Sequence, residues 1–184
     1  MNITAKVALR MIPDSLATQP IFLCVDDTMV AKAGTRFENV SKLFDHAAHN
    51  GSNYLNGHCF VSIMLCIPVW KNDRVSYLSL PLGYRMWQKK ESKLELAASM
   101  IRQVMPEFQE KKQVIILCDS WYTKRNLVSI VDEYHNLDLI GNARIDSVMY
   151  APAHTGRRGR PAKHGKRLSV EIYSAVFVLV PVEY

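Results

Sequence analysis

The sequence lacks several features that would assign it to a particular class of protein. Its four cysteines, Cys24, Cys59, Cys66 and Cys118, show no CxxC spacing, and its six histidines do not cluster with them. A structural zinc site needs clustered Cys and His ligands. We therefore predict no zinc site and interpret the cysteines as buried free thiols.

Long hydrophobic runs are also missing. The longest apolar stretches span residues 59–70 and 172–182, whereas a membrane helix takes roughly 20 apolar residues. No apolar segment follows the charged Lys6 and Arg10 near the N-terminus, so no signal peptide is predicted. These absences predict a cytoplasmic protein with no membrane partner.

One segment, residues 151–168, has no acidic residue at all. The net charge of the chain is +6, and the segment alone carries six basic side chains: Arg157, Arg158, Arg160, Lys163, Lys166 and Arg167. Such a concentrated positive charge predicts a nucleic-acid partner. The tract "RRGRPAKHGKR" is compatible with contacts to DNA phosphates, with Arg insertion into a minor groove in the manner of an AT-hook, or with a solvated linker.

The hydrophobic pattern predicts a mixed α/β sheet. Strands are expected at 20–27, 58–70, 75–87, 114–119, 138–145 and within 167–184; helices are expected at 37–51, at 92–112 and after residue 119. Two of these strands, 58–70 and 75–87, should form an antiparallel hairpin around the turn at 71–74. Strands 114–119 and 138–145 flank a helix, so they should be parallel neighbours.

Two apolar strands end in acidic residues. "IFLCVDDT" (21–28) reaches Asp26 and Asp27, and "VIILCD" (114–119) reaches Asp119. Ligand sites in such sheets gather at the carboxyl ends of the strands, and adjacent carboxylates repel each other unless a cation joins them. Mg²⁺ or Mn²⁺ is the natural cation. The alternative interpretation is that these acids are turn formers or helix caps.

Four segments in order, "CVDDT", "NYLNGHCFV", "CDSWY" and "RRGRPAKHGKR", resemble the DDE transposases of bacterial insertion sequences over roughly residues 20–175. The resemblance implies an α/β, ribonuclease-H-like mixed sheet flanked by helices, with an inserted basic loop. It implies that Asp26 and Asp119 are catalytic and bind Mg²⁺ or Mn²⁺ in a two-ion site, with Asp27 as the alternative to Asp26. The implied partner is double-stranded DNA, as transposon ends and target, which would make the protein nucleoid-associated.

The family also requires a third carboxylate, a Glu on a later helix. Glu133 lies on another predicted helix, and Glu171 and Glu183 lie in strand-like sequence. We therefore expect a truncated transposase: an N-terminal remnant (1–19), a core (20–150), and a basic DNA-binding loop with the first C-terminal strands (151–184). Metal binding should then be weak and the chain inactive alone. The alternatives are a non-catalytic DNA-binding or regulatory protein derived from a transposase, such as an inhibitor of a full-length transposase, and a complete nuclease that uses another acid, such as Glu171, as its third ligand.

Several further side chains have two interpretations each. Trp121 and Tyr122 follow Asp119 and either stack on an unpaired base or, as we favour, pack against the sheet edge. Three basic residues outside the tract are candidate DNA contacts or solvated surface charges: Lys32, Lys42 and Arg144. His49 and His58 are interpreted as structural.

Overall fold

The computed structural model describes residues 1–34, 36–44, 53–108, 112–142, 148–151, 153, 163, 165–168 and 177–179. The α-helices are α1 (Asn2–Arg10), α2 (Lys93–Val104) and α3 (Arg125–Val128). The strands are β1 (Ile21–Ala31), β2 (Ser41–Phe44), β3 (Tyr54–Lys71), β4 (Arg74–Met86), β5 (Val114–Cys118), β6 (Leu137–Gly141), β7 (Met149–Tyr150), β8 (Arg167–Leu168) and β9 (Phe177–Leu179). Short 3₁₀ helices span Asp14–Leu16, Met105–Glu107 and Ser129–Glu133.

One mixed sheet organises the chain. Its strand order is β2-β3-β1-β5-β6-β9, and β4 also pairs with β3. Strand β1 is antiparallel to β3 and parallel to β5, and β5 is parallel to β6. The predicted α/β class and the parallel pairing across a strand–helix–strand unit are both confirmed. A separate two-stranded ribbon joins β7 to β8.

The predicted hairpin of two long strands is present as β3 and β4. Asn72 and Asp73 form its turn with φ of 51° and 57°, the left-handed conformation that two-residue hairpin turns require and that Asn and Asp tolerate. The register shifts beside Ile63, where Met64 pairs with Pro81. Proline has no N–H for the ladder, so its place beside a bulge, on a strand that pairs only with β3 among the described strands, follows from its chemistry.

The helix predicted at 37–51 is wrong where the structure describes it. Residues Ser41–Phe44 form β2 and pair antiparallel with the first residues of β3. Leu43 is buried while its neighbours Lys42 and Phe44 are exposed, which is the alternation of a half-buried strand. Pairing with β3 overrides the helical spacing of the apolar residues. The remainder of that prediction, residues 45–51, lies outside the described residues.

Helix α2 begins at the start of the helix predicted at 92–112 but ends earlier than predicted, at Val104. The Ser92 hydroxyl accepts the amide N–H of Glu95 at 3.1 Å, and the Glu95 carboxylate accepts the amide N–H of Ser92 at 2.8 Å. This capping box satisfies two amide groups that the helix leaves unpaired. At the other end Pro106 lies in the 3₁₀ turn that follows Val104, because proline cannot continue the backbone ladder.

A single apolar core joins the helices to one face of the sheet. Ala5 of α1, Met100 of α2 and Leu127 of α3 are buried together with strand residues such as Leu23 and Ile116. Within the described part of the chain, no helix is both long enough and apolar enough to cross a membrane.

Candidate active site

The two sequence-predicted acids lie just beyond the paired residues of adjacent parallel strands. Asp119 follows the end of β5, whereas Asp26 lies within β1, which continues to Ala31 along β3 and does not end at residue 27 as predicted. β1 and β5 pair in register from Ile21 with Val114 to Val25 with Cys118. Asp26 and Asp119 directly follow that last pair. The antiparallel and parallel ladders on either side of β1 fix this register, because a slip of one residue would turn every side chain of β1 to the other face.

Side-chain alternation separates the two neighbouring aspartates of β1. Ile21, Leu23 and Val25 are buried against the helices, so Asp27 lies on that same face and Asp26 on the opposite one. Asp26 is exposed, whereas Asp27 is half-buried. The two acids therefore have different surroundings although they are adjacent in the sequence.

Asp26 and Asp119 each use one carboxylate oxygen for a backbone N–H group. Oδ1 of Asp26 accepts from the amide of Asp27 at 2.8 Å, and Oδ1 of Asp119 accepts from the amides of Trp121 at 3.0 Å and Tyr122 at 3.2 Å. Among the described residues, Oδ2 of each makes no hydrogen bond. Asp119 is thus the turn former that the alternative interpretation expected, and it still has an oxygen available for a ligand.

Asp27, in contrast, uses both oxygens. Its Oδ2 accepts from Nζ of Lys93 at 2.6 Å and from Sγ of Cys59 at 3.2 Å, and its Oδ1 accepts from the hydroxyl of Tyr122 at 3.2 Å. Burial, followed by the hydrogen bond to Asp27, raises the pKa of the Cys59 thiol to about 11. The Asp27 carboxylate therefore accepts hydrogen bonds from three side chains of the protein.

Lys93 is the cation of this cluster. Burial lowers its pKa, but the hydrogen bond and the negative charge of Asp27 outweigh that effect and hold the pKa above its ordinary value. Its ammonium group also lies 5.6 Å from the ring centre of Trp87 and 5.2 Å from that of Trp121. Aromatic faces attract a cation at such distances. Asp27 and the two indole rings therefore fix the position of the Lys93 ammonium group together.

Tyr122 is buried in the core and Trp121 is partly buried against it, so both pack on the protein, as the favoured interpretation predicted. Tyr122 is 0% exposed, and the Trp121 ring meets it edge-on with centroids 5.1 Å apart. Burial and the nearby charge of Asp27 raise the pKa of Tyr122 far above its ordinary value, so the phenol stays protonated and donates. Nζ of Lys124 lies over the Trp121 ring at 4.7 Å.

The turn after Asp119 is anchored to β6 by close packing. Thr123 Oγ1 donates to the carbonyl oxygen of Asn142 at 2.7 Å. A Cβ added at Gly141 would lie 2.3 Å from Cγ2 of Thr123 and 3.0 Å from Sγ of Cys118. Only glycine fits between the strand and the turn, and this fit fixes the distance between β6 and the Asp119 turn.

The donor set suits a hard divalent cation in part. Two carboxylate oxygens without a hydrogen-bond partner are suitable ligands for Mg²⁺ or Mn²⁺, which take oxygen donors and keep several waters. Over the described ranges, no group of three or more His, Cys, Asp or Glu side chains could hold a metal ion. Glu133 lies on a predicted helix other than the one that carries the third carboxylate in the family, and it forms an ion pair with Arg102. Glu171 and Glu183 lie outside the described residues.

The other predicted contacts are described in part. Lys163, Lys166 and Arg167 are exposed, and Arg167 lies in the β7–β8 ribbon; Arg157, Arg158, Arg160, Arg144 and His49 lie outside the described residues. Lys32 and Lys42 lie over the rings of Phe37 and Tyr54. Nε2 of His58 donates to the carbonyl oxygen of Glu38 at 2.8 Å, a structural contact as predicted.

Sequence reasoning missed Lys93 as a member of this cluster. A signal for it exists: Lys93 is the first residue of α2, where the helix dipole disfavours a cation. A lysine at that position is stabilised when an acid pairs with it. A lysine directly after a capping-box serine therefore indicates an acid nearby in the fold.

Comparison with known proteins identifies the family. A family model described as DDE superfamily endonuclease matches residues 2–180. No curated protein and no solved structure matches the chain. Because the family match spans nearly all of the 184 residues, the chain belongs to the DDE superfamily endonucleases, with a domain of the DDE transposase type.

Proposed function

We propose that the protein cleaves DNA phosphodiester bonds with a divalent metal ion held by Asp26 and Asp119, as the cleavage part of a transposition reaction. The carrying observation is that these two acids follow the last in-register pair of two parallel strands, each with one oxygen that has no hydrogen bond among the described residues. Members of the family generally use divalent metals and act on DNA.

Asp26 is the preferred ligand over Asp27 because the two oxygens of Asp27 already accept three hydrogen bonds. A bound Mg²⁺ or Mn²⁺ ion would act as a Lewis acid on the scissile phosphodiester. The protein's own residues orient the two carboxylates, and the Tyr122 phenol stays protonated and donates to Asp27. The basic tract at 157–167 holds the DNA backbone without reading its sequence.

A third carboxylate, which the two-ion chemistry of transposases uses, would come from outside the described residues, where Glu171 and Glu183 lie, or from a full-length transposase. Without it, metal binding is weak and strand transfer is slow or absent, and nicking of DNA is the activity that the isolated chain retains. The lack of a three-ligand group among the described residues favours one alternative function, that of a non-catalytic DNA-binding regulator.

Nicking of supercoiled plasmid in Mn²⁺ tests the proposal. Asp26→Ala and Asp119→Ala should each lower the nicking rate by about a hundredfold or more, since ligand loss costs at least as much as loss of a residue that orients a ligand. Both variants should retain DNA binding. The matched control is Asp132→Ala, an exposed acid of the 3₁₀ helix. If the unsubstituted protein binds DNA but nicks none, the regulator is the correct function.

A further inference from the structure

Lys93 lies at the junction of three elements that meet at the site. It is the first residue of α2, its ammonium group pairs with Asp27 of β1, and it packs on Trp121 of the turn after β5. The side chains of Lys93 and Asp27 are each 17% exposed. An ion pair this sheltered from solvent is screened little by salt, and breaking it leaves a charge without its partner.

Asp27 connects Lys93 to both candidate metal ligands, Asp26 and Asp119. Its amide N–H donates to Oδ1 of Asp26 at 2.8 Å. Its carboxylate accepts from the hydroxyl of Tyr122, whose amide N–H in turn donates to Oδ1 of Asp119 at 3.2 Å. Lys93 is thus linked to each of the two acids by hydrogen bonds and by the covalent structure of Asp27 and Tyr122 between them.

We propose that Lys93, by its ion pair with Asp27, is a positioning residue that holds Asp26 and the Asp119 turn in the geometry needed for DNA cleavage. This role rests on the proposed function, because it is defined relative to the two carboxylates. Asp27 is then a positioning residue as well, and not a metal ligand. Removal of the ammonium group leaves the Asp27 carboxylate without its cation and able to reorient, which weakens its hydrogen bond with Tyr122 and loosens the turn that carries Asp119.

A direct contact between Lys93 and a DNA phosphate fits the geometry less well. Its ammonium group donates to Asp27 at 2.6 Å and lies over two indole rings, those of Trp87 and Trp121. A phosphate would have to displace a sheltered carboxylate from it. The two roles differ in their kinetics, because a positioning residue affects kcat, whereas a phosphate contact affects the KM for DNA and its salt dependence.

The variant Lys93→Met keeps the apolar stem and removes the charge. The matched control is Lys124→Met, because Lys124 also lies over the Trp121 ring but makes no contact with Asp27. Lys93→Arg restores a cation that can reach Asp27. Two readouts are measured on the full chain: amide hydrogen exchange at Trp121 and Tyr122 by NMR, and Mn²⁺-dependent nicking separated into kcat and KM.

Lys93→Met should speed exchange at the two amides by about tenfold, since local opening is governed by the contacts that close the segment. It should also lower kcat by about tenfold or more with KM for DNA unchanged, a loss in the range seen for residues that orient metal ligands. Lys124→Met should leave both readouts unchanged, and Lys93→Arg should restore most of both.

Unchanged exchange in Lys93→Met overturns the positioning role, whether or not the protein nicks DNA. A raised KM with unchanged exchange overturns it in favour of a DNA contact. If Lys93→Met behaves like the unsubstituted protein while Asp119→Ala abolishes nicking, the positioning role fails and the proposed function stands. If the unsubstituted protein does not nick, the proposed function fails, and the exchange measurement alone decides whether Lys93 holds the turn.

Discussion

The hydroxyl of Tyr122 donates to Oδ1 of Asp27 at 3.2 Å, although the two residues lie 95 positions apart in the sequence. This bond joins Asp27, within β1, to the turn after β5, and Tyr122 is fully buried where it forms. The hydrogen bond thereby connects the two segments that carry Asp26 and Asp119. A substitution that breaks this tie should therefore affect both segments at once.

Tyr122→Phe should lower the free energy of unfolding by about 1–2 kcal/mol, because it leaves one oxygen of a sheltered carboxylate without its donor. The fold should persist, since the ring volume is unchanged. Nicking should fall several-fold because Asp27 no longer fixes the turn. Denaturant unfolding and the plasmid assay measure the two effects.

Tyr134→Phe is the matched control for that substitution. The hydroxyl of Tyr134 makes no hydrogen bond among the described residues, so its loss should change stability by a few tenths of a kcal/mol at most. Equal effects of the two substitutions would contradict the role given to the Tyr122 bond.

Gly141→Ala should destabilise the protein by about 1–3 kcal/mol, the usual range for overpacking. The new methyl group would meet Cγ2 of Thr123 at 2.3 Å and the carbonyl oxygen of Cys118 at 3.2 Å, and neither can move without shifting the Asp119 turn. Nicking should therefore fall more than stability alone explains. Thermal unfolding and the nicking rate at a temperature where the variant is folded separate these effects.

Gly83→Ala provides the comparison for Gly141→Ala. There the nearest atoms belong to the flexible side chain of Met1, at 2.9 and 3.1 Å, which can rotate away. A Gly83→Ala variant as unstable as Gly141→Ala would mean that glycine loss itself, and not the contact with Thr123, lowers stability.

Much of the fold could be predicted from the sequence because its signals are local. Ser92 with Glu95 marks the start of α2, Pro106 marks its end, and the apolar runs before Asp26 and Asp119 mark two buried strands. The parallel pairing of β5 with β6 follows from the helix between them. Each of these features depends on neighbouring residues, which a sequence displays directly.

The features that could not be predicted depend on distant partners. Ser41–Phe44 has helical spacing of its apolar residues, and only the adjacent strand β3 makes it β2. The choice between Asp26 and Asp27 depends on Lys93, which is 66 residues from Asp27. Adjacent residues on a strand lie on opposite faces, but the sequence does not show which of the two faces the helices cover.

Alkaline pH should destabilise the protein because its buried thiols resist ionisation. The pKa of Cys59 is raised from 9.0 to about 11, first by burial and then by its hydrogen bond to Asp27. Its contribution to stability is fully present below pH 9 and is lost as the pH rises toward 11, since the unfolded thiol ionises first. The loss from this group should be about 2–3 kcal/mol.

Urea unfolding between about pH 8 and pH 11 measures this dependence. In this pH range, Cys59→Ala should make the free energy of unfolding less dependent on pH. The substitution should also lower the free energy of unfolding at about pH 8. A slope identical to that of the unsubstituted protein would show that Cys59 ionises as easily in the folded state as in the unfolded one.

Binding of double-stranded DNA should depend steeply on salt, and the dependence should come from the basic tract. Each phosphate that a lysine or arginine neutralises contributes about 0.9 to the slope of log affinity against log salt for duplex DNA. Replacing the exposed Lys166 and Arg167 by Gln should therefore lower the slope by about 0.9 for each phosphate that is no longer neutralised. Titrations of labelled duplex at several salt concentrations measure this slope.

A second basic pair provides the control for the tract. Lys71 and Arg74 at the tip of the β3–β4 hairpin are also exposed, and replacing that pair by Gln makes the same change in net charge. If the two pairs lower the slope equally, net charge attracts DNA and the tract has no special role. If only the tract pair lowers it, and lowers it equally for unrelated DNA sequences, the tract contacts the backbone; a larger effect on A·T-rich DNA indicates insertion into a narrow minor groove instead.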